Sequence, residues 1–273
     1  MNLSAYFARI GYTGSTAPTL ETLTGVVAGH TQHIPFENLD PLLGVPVADL
    51  SPAALTDKLV SRRRGGYCYE HNNLMRYALT DLGFDVDRLA GRVVWMNPAG
   101  LDGPPHAETH QALAVRIPGV DEPYLVDVGF GGQTLSSPIR LVVGPVQQTR
   151  HEPYRLRTHG RDYVLEALVR AEWQPLYTFG IDPRPLIDME VGSWYVSTHP
   201  ASTFVVGLSA ALVTDDARWN LRGRNLAIHA DGATERIRFD GAGQVLDALA
   251  NRFGIDVSGL AGVERRIAEV LDT

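Results

Sequence analysis

Apolar residues recur at helical spacing in the first third of the chain. The clearest pattern begins at about Tyr67, and its members share one face of a helix: His71, Leu74, Met75, Ala78, Leu79 and Leu82. A second helix is predicted over residues 19–31. A third begins at Ser51-Pro52, since serine is a favoured N-cap and proline suits the first helical position. Residues 34–48 contain three prolines and are predicted to form an irregular loop.

Short apolar runs replace the helical pattern from about Asp85. They predict strands at residues 92–96, 109–117, 124–132, 154–157, 163–169 and 173–179. Because the runs are short and no long helical pattern separates them, an antiparallel barrel or sandwich is favoured. A crossing segment, 186–197, follows the two prolines at 183 and 185.

Strands and helices mix in the last part of the chain. Strands are predicted at residues 204–213, 218–221, 225–229 and 235–239, and helices at 242–253 and 260–271. The chain is therefore assigned to the α+β class. It is divided into a helical unit, a strand-rich unit and a mixed unit, which span residues 1–85, 86–190 and 191–273.

Charge and cysteine content exclude several classes of function. The formal net charge is −7, and the basic run Arg62-Arg63-Arg64 is short, which argues against a general nucleic-acid binder. A single cysteine excludes an internal disulfide and any zinc or iron–sulfur site with several cysteines. The first residues do not resemble a signal peptide, and no apolar stretch reaches membrane-spanning length. We therefore expect no membrane partner and a reducing, cytoplasmic setting.

The single cysteine, Cys68, follows Gly65-Gly66 and falls in the first turn of the predicted helix. Unpaired N–H groups and the positive end of the helix dipole favour an anion there. A thiol in that position is expected to ionise more easily than a free one, and the thiolate is the reactive form. Two alternatives stay open, an inert buried cysteine and a non-catalytic binding or redox-sensing protein.

A base and a group to orient it are candidates further along the chain. His110 opens one predicted strand, and Asp127 interrupts the apolar run of the next. A turn-like segment, residues 118–123, joins the two strands as a hairpin, which places His110 within a residue or two of Asp127. A buried carboxylate needs a partner, and backbone donors or an arginine are the alternative to His110.

Other polar clusters are weaker candidates. His106 and His110 are four residues apart, but the intervening Glu108 is misplaced for a zinc-protease motif, and Pro and Gly precede the pair. His106 is also a rival base, although it lies in a loop without an orienting carboxylate. The run 129–132 lacks the lysine of a phosphate-binding Walker loop. The other histidines are interpreted as structural or exposed.

Several segments together resemble the arylamine N-acetyltransferase family of bacterial type. They are Arg64-Gly65-Gly66-Tyr67-Cys68, Thr109-His110, Val126-Asp127-Val128-Gly129-Phe130-Gly131 and Ile34-Pro35-Phe36-Glu37-Asn38-Leu39, with further matches at residues 197–200 and 215–221. The resemblance extends over the whole chain. It implies that Cys68, His110 and Asp127 form a Cys-His-Asp triad on a core like that of papain and the transglutaminases. It also implies an N-terminal helical bundle, a central antiparallel β-barrel and a C-terminal α/β lid.

The same resemblance implies an acetyl-CoA-dependent transfer to an arylamine or arylhydrazine through an acetyl-cysteine intermediate, without a metal. Phe36, Tyr69, Phe130 and Phe204 would line the substrate pocket and exclude water from the thioester. Thr109, Gly129 and Gly131 would contact coenzyme A. Glu37 is expected to pair with a buried arginine, for which Arg64 is the candidate. A homodimer is a possible assembly, and a transglutaminase-like cysteine hydrolase is the alternative function.

Overall fold

A computed structural model describes residues 1–272 of the chain. The helices are α1 (Leu3–Ile10), α2 (Leu20–His33), α3 (Leu39–Leu42), α4 (Pro52–Leu55), α5 (Cys68–Asp81), α6 (Leu186–Thr198), α7 (Thr203–Val206), α8 (Ala242–Asn251) and α9 (Val263–Glu269). The strands are β1 (Phe36–Glu37), β2 (Asp85–Val93), β3 (His110–Arg116), β4 (Tyr124–Val126), β5 (Ile139–Arg140), β6 (Tyr154–His159), β7 (Asp162–Val169), β8 (Glu172–Phe179), β9 (Ser209–Val213), β10 (Ala217–Arg222), β11 (Asn225–Ala230) and β12 (Ala233–Arg238). No helix within residues 1–272 is long and apolar enough to cross a membrane.

Helix α5 lies at the centre of the N-terminal helices. The residues predicted to share its apolar face are buried, from His71 to Leu82. Thr19 caps α2 through a bond from the Thr22 N–H, and Ser51 caps α4 through a bond from the Ala54 N–H. The helix start near residue 19 and the Ser51 cap were predicted from the sequence. Each cap satisfies a backbone N–H that the first turn of its helix leaves unpaired.

The central sheet has seven strands in the order β5-β4-β3-β2-β8-β7-β6, and neighbouring strands are antiparallel. Isolated bridges from Val143 to Leu156 and from Gln147 to Tyr154 connect the segment after β5 to β6. These bridges nearly close the sheet into a barrel. The α+β class and the antiparallel barrel predicted from the sequence are confirmed.

The second sheet has five strands in the order β1-β9-β10-β11-β12. Helices α8 and α9 cover it, and their apolar residues share one buried cluster with strands β10 and β11. Strand β1 comes from the N-terminal third of the chain, yet it pairs with β9 through Phe36 and Ala211. The division into units 1–85, 86–190 and 191–273 stays a prediction, and Thr273 lies outside the described residues.

Two predicted strands end or begin differently in the structure. The strand predicted at 92–96 is the end of β2, which stops at Val93. The Val94 and Trp95 N–H groups both donate to the Leu176 carbonyl, and Met96 has a φ of 59°, so the chain turns away. The strand predicted at 204–213 begins as helix α7, because Ser202 accepts a bond from the Phe204 N–H. The β-branched residues beside Phe204 suggested a strand that local capping overrides.

The segment predicted as an irregular loop, residues 34–48, contains strand β1 and helix α3. The predicted helix 260–271 is shorter and spans Val263–Glu269, because Gly262 precedes it in a left-handed conformation with a φ of 74°. Both differences arise from tertiary contacts or backbone geometry that hydrophobic periodicity does not report.

Gly65 allows the turn before α5 to contact the segment before β1. A Cβ atom at this position would overlap the Pro35 carbonyl oxygen and crowd the Glu37 side chain. We expect Gly65→Ala to lower the free energy of unfolding by about 1–3 kcal/mol, since a backbone oxygen cannot move aside cheaply. Urea denaturation measures this change.

Gly180→Ala is the matched control, because a Cβ atom at Gly180 meets no atom within 4 Å. We expect this control to change the free energy of unfolding by less than about 1 kcal/mol. Equal losses in the two variants would contradict the packing argument for Gly65.

Candidate active site

Cys68 is the first residue of α5, and its side chain is buried, with a relative exposure of 4%. Tyr67 is the N-cap residue, and its N–H donates to the Glu70 carboxylate at 3.2 Å. The thiol lies 3.7 Å from the Thr109 carbonyl, the residue before strand β3. The sequence prediction of Cys68 at a helix start is therefore confirmed, and the thiol faces the strand that carries His110.

His110 and Asp127 are in contact. Strands β3 and β4 pair Leu113 with Val126, and continuing this register places Asp127 opposite Ala112, two residues from His110. The His110 Nε2 atom lies 2.8 Å from an Asp127 carboxylate oxygen, and both residues are buried. The hairpin geometry predicted from the sequence is confirmed, and the Nδ1 atom of His110 stays available to the thiol.

Asn72, on helix α5, supports Asp127. Its side-chain amide donates to the second Asp127 carboxylate oxygen at 3.0 Å and to the Gln111 carbonyl at 2.6 Å. Its side-chain oxygen accepts a bond from the Val128 N–H at 3.1 Å. Asn72 lies one turn after Cys68, so one residue joins α5 to both strands. Sequence reasoning missed it, although a buried asparagine four residues after the cysteine is a usable signal.

His110 and Asp127 each stabilise the charged form of the other. Burial would lower the pKa of His110, but the Asp127 carboxylate and the hydrogen bond that the ring donates to the Cys68 sulfur raise it to about 10. Burial would raise the pKa of Asp127, but the positive charge of His110 and the bonds from His110, Asn72 and Gly129 hold it below its usual value. His110 is therefore an imidazolium at neutral pH, which is the charge partner that a Cys68 thiolate requires.

Two aromatic rings enclose the imidazole. The Tyr177 ring lies 4.6 Å from the His110 ring, and the Phe130 ring lies 5.2 Å from it at nearly a right angle. Burial and the Asp127 carboxylate raise the pKa of Tyr177, so its hydroxyl stays protonated. Sequence reasoning selected Phe130 but missed Tyr177, which lies on strand β8, far along the chain.

The other predicted pocket residues are Phe36, Phe204 and Tyr69. The Phe36 ring is 5.8 Å from that of Phe204, and the Phe204 ring is 5.3 Å from that of Tyr67. The buried Tyr69 directs its hydroxyl to the Glu108 carbonyl at 3.3 Å. Phe36 and Phe204 are half-buried, so their rings keep a surface that a ligand can contact.

The residues predicted to contact coenzyme A lie next to Cys68 or the Phe36 ring. A Cβ atom on Gly129 would lie 2.7 Å from the Cys68 Cα, so only glycine lets this loop approach Cys68. Gly131 has a φ of 85° and faces the Phe36 ring. Thr109 contributes the carbonyl next to the thiol. Their contact with coenzyme A stays a prediction.

A buried charge cluster stabilises the turn before Cys68. Arg64 binds Glu37 at 2.7 Å and Asp40 at 2.8 Å, so the predicted pairing of Arg64 with Glu37 is confirmed. Lys58 binds Asp40 at 2.7 Å and Glu70 at 2.6 Å. Burial raises the pKa of Glu70 to about 6, although Lys58 opposes this effect. The cluster anchors both ends of the Gly65-Gly66 turn.

His106 lies away from this arrangement. It is exposed in the loop before β3, and its Nε2 atom lies 2.8 Å from the Asn97 side-chain amide. Its backbone carbonyl accepts a bond from Arg92. The geometry therefore favours His110 over His106 as the base. Within residues 1–272, no group of three or more His, Cys, Asp or Glu side chains is arranged to hold a metal ion.

Comparison with known proteins gives a consistent result over the whole chain. A family model described as N-acetyltransferase matches residues 19–261. The chain is 67% identical to the arylamine N-acetyltransferase of Mycolicibacterium smegmatis, over 100% of this chain and 99% of that protein. It is 57% identical to the arylamine N-acetyltransferase of Mycobacterium tuberculosis strain H37Rv, over 99% and 96% of the two chains.

Solved structures agree with this similarity. The structure of the M. smegmatis arylamine N-acetyltransferase superposes with a TM-score of 0.97 at 67% identity and covers 100% of both chains. The Mycobacterium marinum arylamine N-acetyltransferase in complex with CoA superposes with a TM-score of 0.95 at 59% identity, over 98% of this chain and 99% of that one.

Proposed function

The chain belongs to the bacterial arylamine N-acetyltransferase family, and from that premise we propose that Cys68, His110 and Asp127 carry out its reaction. The enzyme moves an acetyl group from acetyl-CoA to an arylamine. One observation carries the assignment of residues. The buried His110 ring lies between Asp127, 2.8 Å away, and the thiol at the start of α5.

In the first half-reaction the Cys68 thiolate attacks the thioester carbonyl of acetyl-CoA. A bond forms between Cys68 Sγ and the carbonyl carbon, and the bond from that carbon to the coenzyme sulfur breaks. The leaving thiolate takes a proton from the His110 imidazolium, so CoA departs as the thiol. Acetyl-Cys68 and a neutral His110 remain.

In the second half-reaction the arylamine nitrogen attacks acetyl-Cys68. His110 takes the proton that the nitrogen loses, and Cys68 leaves as the thiolate. The product is the N-acetylarylamine, and the imidazolium–thiolate pair is restored. Asp127 holds the ring with Nε2–H directed at its carboxylate, so Nδ1 faces the reacting atoms and the cation is stabilised. The Cys68 backbone N–H, at the helix start, is a donor for the oxyanion.

The acceptor is proposed to bind among Phe36, Tyr69, Phe130 and Phe204. The half-buried rings of Phe36, Phe130 and Phe204 would supply apolar surface for an aryl group and keep water from the thioester. Arylhydrazines are proposed as a second acceptor class, because their terminal nitrogen is also a nucleophile. Coenzyme A is proposed to contact Thr109, Gly129 and Gly131, whose backbone lies next to the thiol or the Phe36 ring.

Two further statements about the setting are proposals. The reaction needs Cys68 as a free thiol, which supports a reducing, cytoplasmic location. Assembly as a homodimer also stays a prediction.

A product assay tests the proposed function directly. Purified enzyme receives acetyl-CoA with and without an arylamine, and chromatography follows free CoA, acetate and N-acetylarylamine. We expect sustained CoA release only with the amine, in equal amounts with acetylated amine. Sustained acetate release without the amine would instead support the alternative, a transglutaminase-like cysteine hydrolase with the same triad.

Phe130→Ala is expected to change which arylamines are preferred. The ring is half-buried, and it packs against the buried His110 and Tyr177 rings. Loss of one aromatic contact should change the relative kcat/KM of bulky and small arylamines about 3- to 10-fold. Steady-state kinetics over a panel of amines measures the ranking.

Trp173→Ala is the matched control for this variant. Trp173 is a half-buried ring on strand β8 that packs on Arg155, 4.2 Å from its guanidinium. It should leave the ranking of amines unchanged. A ranking that is unchanged in Phe130→Ala, or equally changed in Trp173→Ala, would contradict the assignment of Phe130.

A further inference from the structure

A chain of three buried polar side chains crosses the N-terminal helices and plays no part in the reaction steps. The Tyr6 hydroxyl on α1 lies 2.8 Å from Nδ1 of His30 on α2. Nε2 of His30 lies 2.8 Å from Nδ1 of His71 on α5. Nε2 of His71 lies 3.2 Å from the Pro35 carbonyl oxygen. Each of the three side chains is at most 1% exposed.

We call Tyr6, His30 and His71 the relay. The positions of its protons follow from the bond between His71 and the Pro35 carbonyl. A carbonyl oxygen can only accept, so Nε2 of His71 carries the proton and its Nδ1 accepts. His30 must then donate from Nε2 and accept at Nδ1, which leaves the Tyr6 hydroxyl as the first donor. Burial lowers the pKa of His71 to about 4 and the pKa of His30 well below its usual value. Both rings are therefore neutral, and one arrangement of protons satisfies the three bonds that join Tyr6, His30, His71 and Pro35. The Tyr6 hydroxyl also lies 3.9 Å from the Met75 sulfur.

The relay ends beside the pocket. Pro35 immediately precedes Phe36, and its carbonyl also accepts a bond from the Gly66 N–H at 3.4 Å. The Phe36 ring stacks on the His71 ring, with centroids 6.5 Å apart and planes 7° apart. His71 therefore holds the main chain of this segment through its nitrogen and the Phe36 side chain through its ring.

His71 also belongs to the helix that carries the nucleophile. It lies three residues after Cys68, and its Cβ is 3.1 Å from the position that a Gly129 Cβ would occupy. A movement of the His71 ring would therefore change the distance between the Phe36 wall and the acetylated cysteine. Apolar side chains could fill the same volume, but they would not specify a single position for the Pro35 carbonyl.

We propose that Tyr6, His30 and His71 are positioning residues that fix Pro35 and the Phe36 wall of the acceptor pocket, and so contribute to acceptor selectivity. The inference rests on the proposed function, because it takes Phe36 as a wall of that pocket. Its main effect is expected in the second half-reaction, in which the acceptor binds against Phe36. The relay contacts neither His110 nor Asp127 through the bonds that define it, so acetylation of Cys68 should proceed without it.

Three variants test the relay in the full-length enzyme. His71→Leu removes the ring and both bonds, and we expect the KM for bulky arylamines to rise about 5- to 30-fold. His71→Gln keeps a donor for the Pro35 carbonyl and should restore most of this loss. Tyr6→Phe removes one hydroxyl and should raise the KM about 2- to 5-fold, which keeps the test available if His71→Leu does not fold.

Each variant is measured twice, by steady-state kinetics with a panel of arylamines and by the rate of Cys68 acetylation from acetyl-CoA without amine. We expect the acetylation rate to stay within about 3-fold of wild type, since the lost bonds lie outside the triad. Tyr77→Phe is the matched control. Tyr77 lies further along α5, and its hydroxyl donates to the Leu50 carbonyl. Removing this hydroxyl should leave the arylamine KM unchanged.

Different failures are distinguishable in this design. An unchanged amine KM in His71→Leu and Tyr6→Phe would overturn the inference and leave the proposed function intact. A parallel loss of Cys68 acetylation and amine turnover, or a failure of His71→Gln to exceed His71→Leu, would show a general structural role and also overturn it. If the wild-type enzyme forms no acetyl-Cys68, the proposed function fails and the inference fails with it.

Discussion

Cys68→Ala is expected to abolish the acetyl-enzyme and reduce arylamine acetylation about 10⁴- to 10⁶-fold, as loss of a covalent nucleophile does elsewhere. Cys68 is the only cysteine of the chain, so no other thiol can form the thioester. The substitution removes one sulfur atom, and within residues 1–272 its hydrogen bonds are the one to His110 and the 3.7 Å contact with the Thr109 carbonyl. The fold should therefore survive.

Intact-mass analysis after incubation with acetyl-CoA and no amine measures the result. Wild-type enzyme should gain one acetyl group, peptide mapping should place it on Cys68, and Cys68→Ala should gain none. Cys68→Ser is the matched control for size. A serine hydroxyl does not ionise near neutral pH, so this variant should form an ester only slowly. A full acetyl adduct on Cys68→Ala, mapped to another residue, would contradict the assignment.

The positions of the three proposed catalytic residues could be predicted from the sequence because each depends on local pattern. Helical periodicity after Tyr67 placed Cys68 in a first turn, and one cysteine left no competitor. A hairpin with a short turn restricts the register, so His110 and Asp127 had to lie close together. The observed pairing of Leu113 with Val126 leaves them two residues from opposite, and the long imidazole reaches the carboxylate.

The supporting residues could not be predicted in the same way, because their partners are distant in sequence. His71 matched the apolar helix face by spacing, and nothing in that pattern indicates a bond to His30 or to Pro35. Tyr177 reaches His110 only because β8 pairs with β2, which in turn pairs with β3. Asn72 offered a signal, since a polar side chain at a buried helical position needs partners.

The structure gives several glycines a more specific role than the sequence pattern indicates. Before Cys68, Gly65 and Gly66 suggested a turn, and the structure shows that each makes room for a specific group. The Pro35 carbonyl occupies the space at Gly65, and the Glu70 carboxylate occupies the space at Gly66. Gly129 was predicted to contact coenzyme A, and its lack of a side chain also lets this loop lie close to the Cys68 backbone. Close approach of two backbones leaves no trace in hydrophobic periodicity.

His110→Ala is expected to slow Cys68 acetylation and Cys68 alkylation by about 10²- to 10⁴-fold at neutral pH. In the wild type the pKa of His110 is raised to about 10, so its positive charge is present throughout the neutral range and disappears only as the pH approaches that value. Without this charge, alkylation should rise with pH through the ordinary thiol range, near about 8.5. The pH profile of iodoacetamide inactivation measures both effects.

Asp127→Asn should be nearly as damaging for a different reason. Burial alone lowers the pKa of His110, and the Asp127 carboxylate is the largest influence that opposes it. An asparagine of the same shape removes the charge, so the ring should become neutral near pH 7 and the thiolate should lose its partner. Circular dichroism checks that the fold is kept.

The same charges determine the effect of pH on wild-type stability. The raised pKa of His110 stabilises the folded state fully below its unfolded value of about 6.5, and this contribution is lost as the pH rises through about 10. The lowered pKa of Asp127 stabilises the folded state above its unfolded value of about 3.9, and this contribution is lost in acid. Asp127→Asn should therefore lose stability most between about pH 3.9 and about pH 6.5, where both contributions are complete in the wild type.

His106→Ala is the matched control for the histidine variant. The imidazole is exposed, and its 2.8 Å contact with the Asn97 amide lies in the loop, away from Asp127. Alkylation and acetylation should stay within about 3-fold of wild type, since a group outside the triad contributes little to the barrier. A folded His110→Ala that keeps wild-type reactivity at neutral pH, or a His106→Ala that loses it, would show that His110 is not the base. Either result would also leave Asp127 without a base to orient, because no other histidine is bonded to it within residues 1–272.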